Sequence, residues 1–328
     1  MRFGPVPLDQ AEGAVLAHSL PVAGGRLRKG KLLGPADIAA LAASGLREVT
    51  VARFEPGDVA EDAAALEIAG AVAGPGLELQ PVGTGRVNLL ATGPGVARID
   101  APRVDALNAV DPAITLATVP RWQRMDPRGM LATVKIIAYA VPGAALARAC
   151  VAGQRALALA PPVLATASLI QTDVGLGMDP DKGRDVTEAR LDRLGVRLVE
   201  ARVVPHREVP LAEALAAAQG AIVLILTGSA TSDARDVAPA ALQRAAGRLV
   251  HFGMPVDPGN LTFLGALGDR PVLGLPGSSR SPALSGSDWV LERLVCGVPV
   301  GPAEIMAMGV GGLLKEIPTR PRPRGQRG

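Results

Sequence analysis

From Pro162 onward, apolar runs alternate with polar, glycine-bearing breaks in a regular rhythm. Residues 162–170 read as a buried strand, 185–194 as a helix and 197–204 as a strand. A helix over 209–218, a nearly all-aliphatic strand over 221–226 and a helix over 237–246 follow. Residues 270–277 form a short strand running into a Pro-Gly turn, and 281–296 a helix. Strands alternating with ten-residue helices predict a parallel sheet covered on both faces, because a parallel strand buries both of its sides.

The first half is more mixed. Pro35 opens a helix, Ile38, Leu41 and Leu46 sit at helical spacing, and Gly45 closes it before a strand over 48–53. Residues 61–72 read as a helix, 101–110 as another, 130–142 as a strand ended by Pro142, and 143–159 as a helix. The expected fold class is α/β, a three-layer parallel-sheet domain preceded by a smaller mixed α+β region. The expected segments are 1–55, 56–155, the α/β domain at 160–300, and a tail at 301–328.

Composition narrows the classes. Hydrophobic residues make up 48% of the 328-residue chain but aromatics only 2%, so Ala, Val and Leu must build the core. So few aromatics argue against a stacking platform for single-stranded nucleic acid. The formal charge is +3, and Arg320, Arg322, Arg324 and Arg327 alternate with prolines in the tail, a composition that reads as a disordered, solvated end. Cys150 and Cys296 share no ligand spacing with each other or with a histidine, so neither a zinc site nor a disulfide framework is expected. No signal-peptide run opens the chain, and the most apolar stretch, 141–171, is interrupted by Pro142, Arg148, Arg155, Pro161 and Pro162. The default expectation is a cytoplasmic protein that uses neither membrane nor nucleic acid.

Ligands of a parallel sheet bind at the carboxyl ends of its strands. Residues 221–226 lead into "TGSATSDARDVAP", where Thr227, Gly228, Ser229, Thr231 and Ser232 form a small-residue loop ahead of a helix. Such loops bring backbone N–H groups close to a phosphate, and the helix N-terminus favours the anion. The first strand of this region is followed by a loop carrying Asp173, Gly175 and Gly177. The last is followed by Pro276, Gly277, Ser278, Ser279 and Arg280. Three polar loops are therefore expected to converge on one edge of the sheet. Asp173 and Asp236, and with them Asp233, make sense as groups that position Mg²⁺ or an oxyanion. An N-cap role accounts for Asp236 equally well, and Asp185 is an ordinary N-cap candidate. The loop is neither a Walker loop nor the dinucleotide fingerprint.

The segment "LTGSATSDARDVAP" resembles the Thr-Gly-Gly loop of molybdopterin-binding domains, found in molybdopterin adenylyltransferases and molybdopterin molybdenumtransferases. The adenylyltransferase pattern continues into Arg-Asp-Val-x-Pro, matched here by Arg235 to Pro239. "QTDVGLG" lies where the molybdenumtransferase has Thr-Gly-Asp-Glu-Leu. "FGMPVDPGN" resembles the Met-x-Pro-Gly-x-Pro loop, and "GLPGSSRSP" the Leu-Pro-Gly-Asn-Pro segment. Residues 25–54 also look like the stretch that precedes the pterin domain of the molybdenumtransferase. A similar amino-terminal module occurs fused to cytidylyltransferase-like domains. There are departures: Ser229 replaces the second glycine, Ser278-Ser279 replaces Asn-Pro, and about 100 residues separate the helix–strand unit from the pterin domain. No clear counterpart of the molybdenumtransferase's C-terminal barrel is seen.

The resemblance implies a protein of molybdenum-cofactor biosynthesis that handles molybdopterin or its nucleotide form. Thr227, Gly228, Ser229, Thr231, Ser232, Pro276, Gly277, Ser278 and Ser279 would bind it. Asp173 and Asp236 would be catalytic and hold Mg²⁺ or molybdate. As an enzyme it would be a transferase, inserting molybdate or transferring a nucleotidyl group. The alternatives are a non-catalytic cofactor carrier and a nucleotide hydrolase-linked domain of the same fold. Pathway proteins and further copies of the chain are the implied partners. Lys135, Arg86 and Asn88 read as solvated strand and turn residues. His18, His206 and His251 read as surface or hydrogen-bonding groups, and Trp122 and Trp289 as packing residues.

Overall fold

The computed structural model describes residues 1–177 and 179–314. The Arg-Pro tail lies outside the described residues. The chain divides into two units, one of Met1–Thr92, Ala97–Arg121 and Pro127–Leu159, the other of Gly93–Val96, Trp122–Asp126 and Ala160 onward.

The first unit holds an antiparallel sheet in the order Ile114–Thr118, Met130–Ile136, Arg86–Ala91, Leu77–Gly83. Its alternating strands bury Val87, Leu89, Leu116 and Val134, while the helix Glu61–Val72 buries Ala64, Ala65, Ile68, Ala69 and Val72 and packs against the two central strands. A separate three-stranded sheet pairs Arg2–Pro7 and Val15–Leu16 with Glu48–Arg53, and the helix Pro35–Ala43 precedes that last strand as expected. Two expectations need correction. The strand over 130–142 is broken: Ile136 bonds Gly85, where its partner strand turns away, and Ala140–Pro142 pairs instead with Asp58–Ala60. The helix begun at Gly143 ends at Ala152. Gly153 closes it against Leu107 and Val72, where an added Cβ would lie 2.4 Å from Leu107 Cδ1.

The second unit is the parallel α/β domain. Its elements are β1 (Thr166–Asp173), α1 (Pro180–Asp192), β2 (Arg197–Pro205), α2 (Glu208–Ala216), β3 (Ile222–Leu226) and α3 (Val237–Arg244). They continue with β4 (Arg248–Phe252), β5 (Phe263–Leu267), β6 (Arg270–Leu275) and α4 (Gly286–Val295). The sheet order is β2-β1-β3-β6-β5-β4. The first four strands run parallel; β5 is antiparallel to both β6 and β4. Every residue of β3 is buried, and alternate side chains enter opposite layers. Ile222, Leu224 and Leu226 join Leu191, Val290 and Leu291 on one side; Val223 and Ile225 join Leu211, Leu215, Leu242 and Phe263 on the other.

Two helix starts and two strands differ from the pattern. Helix α1 starts five residues early because Asp179 caps it, taking the Asp181 N–H at 3.0 Å, with Pro180 in the first turn. Asp185 is therefore no N-cap; it pairs with Arg184 on the exposed surface. Helix α4 starts at Gly286 behind a capping box of Ser285 and Asp288, and a single 3₁₀ turn, Gly277–Arg280, precedes it. Strands β4 and β5 are unpredicted. They are short, and Gly265 within β5 is required by packing, since a Cβ there would meet Leu242 Cδ2 at 2.2 Å.

Candidate functional site

The registers put Gln171 of β1, Leu226 of β3 and Leu275 of β6 at one level. The three strands are parallel, so the loops beginning at Asp173, Thr227 and Pro276 leave the sheet from one rim, as expected. Strand β4, which runs in the same direction as β6, delivers the 253–262 loop to that rim as well.

The first two loops are joined directly. Gly228 N donates to Thr172 Oγ1 at 2.9 Å, and Thr172 Oγ1 lies 2.8 Å from His206 Nδ1 at the end of β2. Gly228 is confined by this approach: a Cβ would fall 2.5 Å from Thr172 O. Within its loop, Thr227 Oγ1 donates to Ser229 O at 2.6 Å and lies 3.4 Å from Thr231 Oγ1. Thr227 and Thr231 are buried, whereas Ser229 and Ser232 are exposed. The third loop reaches the second through Arg280, whose Nη1 donates to Thr227 O at 3.0 Å. Burial lowers the Arg280 pKa from its ordinary value. Ser279 is buried against Ser287, 3.0 Å between hydroxyl oxygens, while Gly277 is exposed and Ser278 half-buried.

The acidic residues are held locally. Asp173 Oδ1 accepts the Gly175 N–H at 2.8 Å. Asp236 caps α3, taking Val237 N on Oδ1 at 2.7 Å and Ser232 N on Oδ2 at 3.1 Å, so it also closes the loop that begins at Thr227. Asp233 is exposed and paired with Arg235, whose guanidinium and N–H bring its carboxyl down to about 2. Among the described residues no group of three or more His, Cys, Asp and Glu converges as a metal would need.

Motif reading gave some contributors no role and missed one altogether. Thr172, His206 and Arg280 act through the tertiary fold, and only their position at strand ends or beside a glycine loop gives a signal; Arg190, within α1, lies outside every motif segment. A cavity of about 470 Å³ beside the rim is lined by His206, Arg207, Glu208, Val209, Pro210 and Val237.

Residues 167–294 match the model of a family described as a probable molybdopterin binding domain, in line with the motif resemblance. Residues 5–53 match a family described as a domain of unknown function (DUF8806). No curated protein matches the chain. Similar solved structures include the molybdopterin biosynthesis MoeA protein of Pyrococcus horikoshii. It is 14% identical over 91% of this chain and 74% of that one, with a TM-score of 0.30. They also include the molybdopterin biosynthesis enzyme MoaB of Thermus thermophilus, 17% identical over 42% of this chain and 99% of that one, with a TM-score of 0.31. No helix among the described residues is long and apolar enough to cross a membrane.

Proposed function

We propose that the second unit binds molybdopterin or its nucleotide form at the rim, with the pterin phosphate against the loops that begin at Thr227 and Pro276. The observation that carries this is the shared level of the three strand ends, with Gly228 seated on Thr172. Small residues there leave backbone N–H groups approachable, and the α3 N-terminus adds partial positive charge. Thr227, Gly228, Ser229, Thr231 and Ser232 form one wall and Pro276, Gly277, Ser278 and Ser279 the other, with Arg280 supplying a fixed cation between them.

The reactions available to such a site are nucleotidyl transfer to the pterin phosphate and molybdate insertion with loss of the nucleotide. Asp173 and Asp236 are the acidic groups at hand. Both oxygens of Asp236 already accept backbone N–H groups, which suits a residue that shapes the loop. That engagement, and Ser229 in place of glycine, favour a second reading in which the protein carries the cofactor without transforming it. Incubation with molybdopterin, ATP and Mg²⁺, or with adenylylated molybdopterin and molybdate, separates the two. Turnover lost in Asp236→Asn supports the enzyme; tight binding without turnover supports the carrier. Failure to bind either pterin refutes both.

A further inference from the structure

Arg190 projects from α1 with its side chain 15% exposed and reaches across to the loop that follows β6. A guanidinium carries five N–H donors in a rigid planar fork. Here Nη1 donates to Ser279 O at 2.8 Å and lies 3.5 Å from Val186 O. Nη2 donates to Ser281 O at 2.6 Å and Ala283 O at 3.3 Å. Nε faces Asp288 Oδ1 at 2.7 Å. Asp288 is fixed in turn, because its Oδ2 accepts Ser285 N at 2.9 Å in the α4 capping box. One side chain thus draws three carbonyls of a five-residue stretch to itself. It also ties α1, which follows the Asp173 loop, to the loop that begins at Pro276.

The consequence is conformational. A trans peptide carries its C=O and N–H on opposite sides. With the carbonyls of Ser279 and Ala283 drawn inward, the N–H groups of Arg280 and Leu284 are turned away from Arg190. Proline at 282 leaves the Ser281 carbonyl without an N–H of its own peptide to orient. Other hydrogen bonds of the loop backbone are local, among them Ser279 N to Pro276 O, Ser281 N to Ser278 O, and Ala283 N to Ser281 Oγ. Gly277 has open space around it, so local packing does not fix its conformation.

We infer that Arg190 is a positioning residue: it sets the conformation of the 277–283 loop and through it the affinity of the rim for its phosphate-bearing ligand. The affinity half of this statement rests on the pterin reading; the conformational half does not. Lysine cannot substitute, because an ammonium has three donors at one point where five are spread across a fork. Asp288 orients Arg190 but touches none of the three carbonyls' oxygen atoms.

The test compares the full chain with its Arg190→Lys and Asp288→Asn variants by amide hydrogen exchange of the 277–284 segment and by equilibrium dialysis of molybdopterin. Arg190→Lys is expected to accelerate exchange in that segment at least tenfold and to weaken molybdopterin binding by a similar factor. Exchange in β3 should stay unchanged. Asp288→Asn lowers the melting temperature but keeps loop protection and affinity within about threefold. Should Arg190→Lys not fold, Arg190→Ala supplied with millimolar guanidinium takes its place, and added guanidinium is expected to restore loop protection. Loop exchange equal to wild type in Arg190→Lys, or no recovery with guanidinium, overturns the inference. Loop loosening in a protein whose wild type does not bind molybdopterin keeps the conformational half and removes the pterin reading.

Discussion

The six-stranded sheet of the second unit and the four-stranded sheet of the first handle burial in opposite ways. In β3 every side chain packs into a core layer, so none is left for chemistry and all of it moves to the strand ends. In the antiparallel sheet one side packs on the helix 61–72. The other carries a polar row in which Arg86 Nη1 donates to Thr133 Oγ1 at 3.3 Å, and Thr133 Oγ1 donates to Asn88 Oδ1 at 3.0 Å. Both sheets are ordered, but only the first is forced to gather its loops on a single rim. The difference teaches that where packing consumes the faces of a sheet, topology alone decides where a ligand can sit.

The sharpest way to break that comparison is to remove packing from each sheet. Leu224→Ala in β3 deletes a fully buried side chain packed on the α1 and α4 side of the sheet and is expected to cost about 3 kcal/mol. A urea midpoint shift corresponding to less than about 1 kcal/mol would show that β3 is not the core it is taken to be. Next is Gly183→Ala in α1. Its Cβ would come within 2.3 Å of Gln171 Oε1 and 2.9 Å of Leu226 Cδ2, so it is expected to cost about 2 kcal/mol although alanine favours helices. A stabilised Gly183→Ala protein in thermal melts would contradict that close approach.

A smaller effect sharpens the comparison through pH. Glu292 of α4 is pushed up to about 8, first by burial and then by Asp288, and Arg124 at 3.4 Å opposes this without overcoming it. A carboxyl whose pKa is higher folded than unfolded takes up a proton on folding. Its contribution is therefore whole below the usual glutamate value near ~4.3 and is lost as pH rises through about 8. Glu292→Gln should flatten the fall in stability between those values and raise the melting temperature at pH 8.5 by several degrees, with little gain at pH 5. Equal gains at both pH values would mean Glu292 is charged in the native protein. Smallest of all, Asn88→Ala on the open polar face should change stability by less than about 0.5 kcal/mol, since its hydrogen bonds there compete with water. A loss above about 2 kcal/mol would mean that this face is covered.

How legible this was depends on which force set each feature. The helix at 61–72 and the strand at 222–226 follow from periodicity and from unbroken aliphatic runs, and the shared rim follows from parallel topology. The four motif segments were readable because glycine, threonine and proline are needed where backbone approaches backbone, as Gly228 approaches Thr172. What stayed hidden is tertiary. Nothing near Arg190 in sequence says that it clasps carbonyls some 90 residues away, and Thr172 reads as one more strand residue until Gly228 is seen bonded to it. The break at Ile136 depends on where its partner strand ends, and β4 and β5 are short antiparallel pieces whose glycine is dictated by Leu242.

The most direct test of the rim as a pterin-phosphate site is backbone-amide NMR during a molybdopterin titration of the full chain, repeated with Gly228→Val. Saturable shifts are expected at 173–177, 227–232 and 276–280, and are expected to vanish in the variant while β3 resonances hold their positions. Saturable shifts confined to the 77–136 region, or binding undiminished by Gly228→Val, would contradict the account.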